Sequence, residues 1–102
     1  MQGESQISSI QFLKQQDFVT CTLSGVWSIE NSSGSRGRNE WVKFLKKNPS
    51  IQVFRFQLDP QIIWDSTLVS FLHKCRDELK AVNKSIDLNE LPSGIAQLLE
   101  LS

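Results

Sequence analysis

The chain has 102 residues, enough apolar surface for one folded core and too little for two. With 39% hydrophobic and 22% charged residues, its composition is typical of a globular domain and differs from that of a disordered chain. Because Lys plus Arg and Asp plus Glu number 11 each, no net charge draws the chain towards nucleic acid or an anionic membrane. We therefore expect one domain, residues 1–102, that binds no nucleic acid.

The chain contains no recognisable export or membrane signal. Neither a basic nor an apolar region follows Met1, as a secretory signal requires. No apolar run approaches the roughly 20 residues that span a bilayer. We expect these residues to be cytoplasmic and not to insert into the membrane.

The first predicted elements are two strands that form a hairpin. Phe18–Leu23 alternates between apolar and polar residues and is rich in β-branched side chains, which suits a pleated strand. Ile10–Lys14 is a weaker strand candidate, and Gln15–Asp17 is a candidate turn between the two. The sequence thus predicts an antiparallel pair at the N terminus.

A loop and a helix are predicted next. The run Asn31–Asn39 is rich in Gly and Ser, which discourage regular structure, so it predicts a mobile loop. In Glu40–Lys47, Trp41, Phe44 and Leu45 recur at the spacing of an apolar helical stripe.

The second half of the chain predicts two further strands and two helices. Ile51–Leu58 alternates and indicates a central strand, with a shift of phase around Phe54. A long helix follows from Ser66 to Val82, capped by Asp65 or Ser66, with apolar residues every three or four positions. Ser85–Leu88 is a short strand, and Pro92 suits the first turn of a last helix.

This order of elements, ββαβαβα, predicts the fold class. Strands that alternate with helices form parallel crossovers within one sheet. We predict an α/β fold with a mixed sheet of about four strands, an N-terminal antiparallel pair, and helices packed on the sheet.

Three motifs on these elements resemble a known family. Leu23–Gly25 followed by Trp27 is similar to an L-S-G-x-W pattern, and Asp65–Thr67 lies where D-S-S or D-T-A precedes a long helix. Glu90–Leu101 is similar to a closing L-P-x-x-L-x-x-L-L segment. In this order the motifs resemble the STAS domain, and most of all the STAS domains fused to or partnering Mla-type lipid-transport ABC permeases.

The resemblance implies a function in protein interaction. A STAS module of this kind is non-catalytic, carries no cofactor, and contacts the ABC ATPase and permease subunits of a lipid transporter at the cytoplasmic face of the inner membrane. Residues 1–102 would then be the N-terminal part of a longer permease. The alternative is a free-standing anti-sigma-factor antagonist, which binds an anti-sigma factor and is switched off when a partner kinase phosphorylates Ser66.

The candidate site is the turn formed by Trp64, Asp65, Ser66 and Thr67. A helix N-terminus presents unpaired N–H groups and a positive dipole end that favour phosphate, so Ser66 is a candidate for phosphorylation or partner contact. The alternative is that Asp65 or Ser66 only caps the helix, which stabilises it by about 1 kcal/mol.

The tryptophans divide between packing and recognition. Trp41 lies on an apolar helical stripe and Trp27 precedes the predicted loop, so we interpret both as packing residues. Trp64 suits either the core or a contact surface, since Trp is enriched in interface hot spots.

No residue pattern predicts catalysis or a metal site. His73, the only histidine, has no nucleophile in a recognisable motif, and Cys21 and Cys75 lack metal-ligand spacing with it. Both cysteines lie in apolar patterns and are predicted to be buried free thiols. Arg36 and Arg38 are candidates to hold a phosphate, but their loop does not fit the P-loop pattern and is predicted to be solvated.

Overall fold

The computed structural model describes residues 8–27 and 34–101 of the chain. Its elements, in chain order, are β1 (Ser9–Gln15), β2 (Phe18–Ser24), β3 (Val26–Trp27), α1 (Gly34–Lys47), β4 (Val53–Leu58), β5 (Ile63–Trp64), α2 (Ser66–Ala81), β6 (Ser85–Asp87) and α3 (Ser93–Leu101).

The main sheet has the order β1-β2-β4-β6. β1 is antiparallel to β2, and the β2–β4 and β4–β6 pairs are parallel. The crossovers through α1 and α2 step in the same direction, and because such crossovers are right-handed, both helices cover the same face. The predicted α/β fold, with its mixed four-stranded sheet and N-terminal antiparallel pair, is confirmed.

The core lies between this covered face and the helices. In β2, Val19, Cys21 and Leu23 are buried, and the first two pair in register with buried Phe54 and Phe56 of β4. Burial of such a face supplies most of the free energy that holds a sheet and its helices together. The opposite face carries half-buried polar side chains, such as Gln57, whose amide donates to the Thr22 hydroxyl at 2.8 Å. The strands therefore alternate because only one face is covered by helices.

The first helix is longer than the sequence indicates. α1 begins at Gly34, so the predicted loop is wrong for residues 34–39, while 31–33 lie outside the described residues. Gly37 is buried against the indole of Trp27, and the Arg38 guanidinium pairs with Glu78 of α2 at 2.8 Å. These tertiary contacts outweigh the low helix propensity of Gly and Ser.

Both ends of α2 are closed by local hydrogen bonds. Asp65 is the N-cap residue, as one of the two predicted alternatives has it. At the other end Asn83 adopts a left-handed φ of 62°, and the Lys84 amide donates to the Leu79 carbonyl at 2.8 Å while the Asn83 amide donates to Lys80. This Schellman arrangement ends the helix and turns the chain into β6.

Candidate functional site

The second, two-stranded sheet joins two motifs that are far apart in sequence. β3 and β5 pair in parallel, with Val26 opposite Ile63 and Trp27 opposite Trp64. The Ile63 amide donates to the Gly25 carbonyl at 3.0 Å. Gly25 has a φ of 85°, which only glycine adopts without strain. The Leu23–Gly25 and Asp65–Thr67 motifs are therefore neighbours in space.

The turn at the start of α2 is rigidly held. The Asp65 amide donates to the Trp27 carbonyl at 3.1 Å, and the Asp65 carboxylate accepts from the Thr67 amide at 2.8 Å. The Asp65 carbonyl also accepts from the Leu68 amide at 3.0 Å. Ser66 is exposed at the first position of the helix, and Thr67 is half-buried. The four predicted site residues, which are consecutive in the sequence, therefore lie where β5 leads into an accessible helix start.

The three tryptophans separate clearly by exposure. Trp27 and Trp41 are fully buried, and their indole N–H groups donate at 2.8 Å to the Ser24 carbonyl and the Glu78 carboxylate. Trp64 is 39% exposed, so it is not a core residue, and its contact with a partner stays a prediction. An exposed aromatic beside a rigid turn is a typical recognition feature.

A cleft opens beside Trp64 that the sequence analysis did not identify. It has a volume of about 410 Å³ and lies where β4 ends, between Trp64 and the start of α3. Its wall includes the acidic residues Asp59 and Glu90 as well as Leu91 and Pro92. Because the wall combines β4, β5 and the segment before α3, no single stretch of sequence signals it.

His73 is placed far from a catalytic arrangement. Its Nδ1 lies 3.5 Å from the Asp77 carboxylate one helical turn away, and Ser70 lines the same shallow groove on α2. No hydrogen bond joins Ser70 to His73 within the described part of the chain. The backbone N–H groups inside a helix already donate to carbonyl groups of the same helix. Ser70 therefore has no general base bonded to its hydroxyl, and the helix backbone offers it no free N–H groups for an oxyanion.

The structure describes the side chain of one of the two arginines that were candidates to hold a phosphate. Arg38 lies in α1 and pairs with Glu78, so it is not in a solvated loop. The side chain of Arg36 lies outside the described residues. Among residues 8–27 and 34–101, no group of three His, Cys, Asp or Glu side chains is arranged to hold a metal ion.

Both cysteines are free and buried, as predicted. Burial raises the pKa of the Cys21 thiol to about 12, and burial together with the nearby Glu78 carboxylate raises the pKa of Cys75 well above its usual value. Since the thiolate is the reactive form, neither group is a competent nucleophile at neutral pH.

We predict that both thiols resist a disulfide reagent in the folded domain. Labelling at neutral pH should be at least about a hundredfold slower in native buffer than in guanidinium chloride, because both burial and protonation oppose attack. Absorbance of the released thiolate measures the rate. Rapid labelling of one thiol per folded chain would contradict the prediction.

None of the helices in residues 8–27 and 34–101 combines the length and apolar composition that a bilayer crossing requires. No protein-family model matches the chain, and no curated protein matches it. The STAS resemblance therefore rests on the three motifs and stays a prediction.

Proposed function

We propose that this domain is a non-catalytic, cytoplasmic STAS module that binds protein partners of a lipid-transport ABC permease system. The contact surface is formed by Trp64, Asp65, Ser66 and Thr67 and is called the α2-start surface below. One observation carries the proposal: an exposed aromatic and an exposed hydroxyl flank Asp65, and hydrogen bonds to β3 fix this junction between β5 and α2. Rigid presentation lowers the entropy lost on association.

Two further features support a binding function. Open α/β sheets usually hold cofactors at the point where the strand order reverses. The parallel crossovers of the main sheet all step in one direction, so the described strands contain no such reversal. The raised pKa values of Cys21 and Cys75, and the lack of a hydrogen bond between His73 and Ser70, also favour binding over nucleophilic catalysis. The partners in this proposal are the ABC ATPase and the permease subunits.

The exposure of Ser66 favours one second candidate. In an anti-sigma-factor antagonist the same surface would bind an anti-sigma factor, and a kinase would phosphorylate Ser66. Phosphate would bring nearly two negative charges beside Asp65 and repel the partner. Both candidates use the same surface and differ in the partner.

Site-specific photo-crosslinking in cells tests the proposal. We expect p-benzoylphenylalanine in place of Ser66, in the full natural chain, to capture an ABC ATPase or permease subunit. The matched control has the same residue in place of Ser50, an exposed serine that precedes β4 at the opposite end of the sheet. Capture of an anti-sigma factor or kinase at Ser66 selects the second candidate. The same products at both positions, or none at Ser66, would refute the α2-start surface.

A further inference from the structure

The cleft beside Trp64 combines an apolar wall with two carboxylates. Ile62, Trp64, Leu91 and Pro92 contribute apolar surface, and Trp64 belongs also to the α2-start surface. Asp59 and Glu90 are the only ionisable residues that line the cleft in the described part of the chain. The cleft is thus continuous with the proposed contact surface and carries negative charge.

This negative charge is local. The whole chain is neutral, with 11 basic and 11 acidic residues. The basic residues Lys46 and Lys47 end α1, and Lys80 lies in the last turn of α2. Both helices run against the parallel strands, so these lysines lie where the strands begin, at the end away from the cleft. Asp17, in the turn between β1 and β2, also lies at that end, but the lysines outnumber it, whereas the wall of the cleft has no basic residue.

An indole and two acidic residues on an apolar wall suit a cation with an apolar stem. The indole attracts a cation electrostatically, and a carboxylate forms a charge-assisted hydrogen bond with it. The methylene stem of Arg or Lys packs on apolar surface while its charged head reaches the rim. A free small cation would lack the apolar contacts and the attachment that make such a contact specific.

Resting on the proposed function, we infer that this cleft receives an Arg or Lys side chain from an apolar segment of the partner protein. Contact at the α2-start surface would deliver the segment to the cleft, since Trp64 lies in both. Complementary charge then sets the register of the two proteins.

Selection from a display library of short random peptides against the full natural chain tests this inference. We expect the selected peptides to carry Arg or Lys next to apolar residues. Neutralising the cleft by Asp59→Asn or Glu90→Gln should weaken their binding by at least about fivefold, since each change removes one attracting charge. The matched control is Glu100→Gln, which removes an exposed carboxylate near the end of α3 and leaves the cleft unchanged.

The remaining outcomes overturn either the inference or the proposed function, and they differ in which of the two fails. Selection of acidic or uncharged peptides, failure to select any peptide, or equal weakening by Glu100→Gln would each contradict a cation-binding cleft. If selected peptides lose binding with Ser66→Glu but not with Glu90→Gln, the α2-start surface stands and the cleft does not contribute. If they lose binding with Glu90→Gln alone, the cleft binds peptides and the α2-start surface is wrong.

Discussion

Gly37→Ala is expected to destabilise the domain by about 2 kcal/mol, although alanine is the better helix former by about 1 kcal/mol. A Cβ at this position would lie 2.3 Å from Cη2 of Trp27, well inside the contact distance of about 3.5 Å. The indole cannot move aside freely. It is fully buried, its N–H donates to the Ser24 carbonyl at 2.8 Å, and it lies 4.7 Å from the Phe71 ring. Urea denaturation measures the loss.

Two variants make this prediction specific. Gly94→Ala, in α3, has no atom within 4 Å of the added Cβ, so it should stabilise the domain by up to about 1 kcal/mol. Trp27→Phe shortens the ring that blocks position 37, so Gly37→Ala should cost clearly less in that background than in the parent. Equal costs in both backgrounds would show that steric conflict with Trp27 is not the cause.

The Trp27–Gly37 contact also explains why α1 is only partly predictable from sequence. Trp41, Phe44 and Leu45 indicate the C-terminal half of the helix through their spacing, which is a local signal. The first turns contain Gly and Ser and have no such signal. They are helical where a glycine fits under an indole from another element, and no local pattern encodes that fit.

The strands also divide into those that the sequence predicts and those that it does not. β2 and β4 are predictable because each has one covered face, which produces alternation over six or seven residues. β3 and β5 contain two residues each, too few for a period to appear, and their pairing depends on β2 and β4 being neighbours already. The sequence narrows the cap of α2 to Asp65 or Ser66, whereas the adjacent cleft depends on the whole fold.

Ser66→Glu is expected to leave the fold intact and to weaken partner association by about tenfold to a hundredfold. Ser66 is exposed at the first position of α2, where the helix dipole favours a negative charge and the adjacent Asp65 opposes it. The two effects largely cancel, so the free energy of unfolding should change by less than about 0.5 kcal/mol. The partner surface that fits the neutral Ser66 hydroxyl has no cation placed opposite position 66, so the new carboxylate loses its hydration without compensation and lowers the affinity.

Calorimetric titration with the protein captured by crosslinking at position 66 measures the effect, and circular dichroism verifies the fold. Ser66→Gln changes the shape without the charge and should retain most of the affinity. Ser50→Glu makes the same substitution at the other end of the sheet and should bind like the parent, because charges more than about 10 Å apart are largely screened in physiological salt. Thr67→Asp, which adds the charge one residue further into the first turn, should weaken binding as Ser66→Glu does. If both folded acidic variants bind like the parent, Asp65 and Ser66 only begin the helix, and the partner contacts another part of the domain.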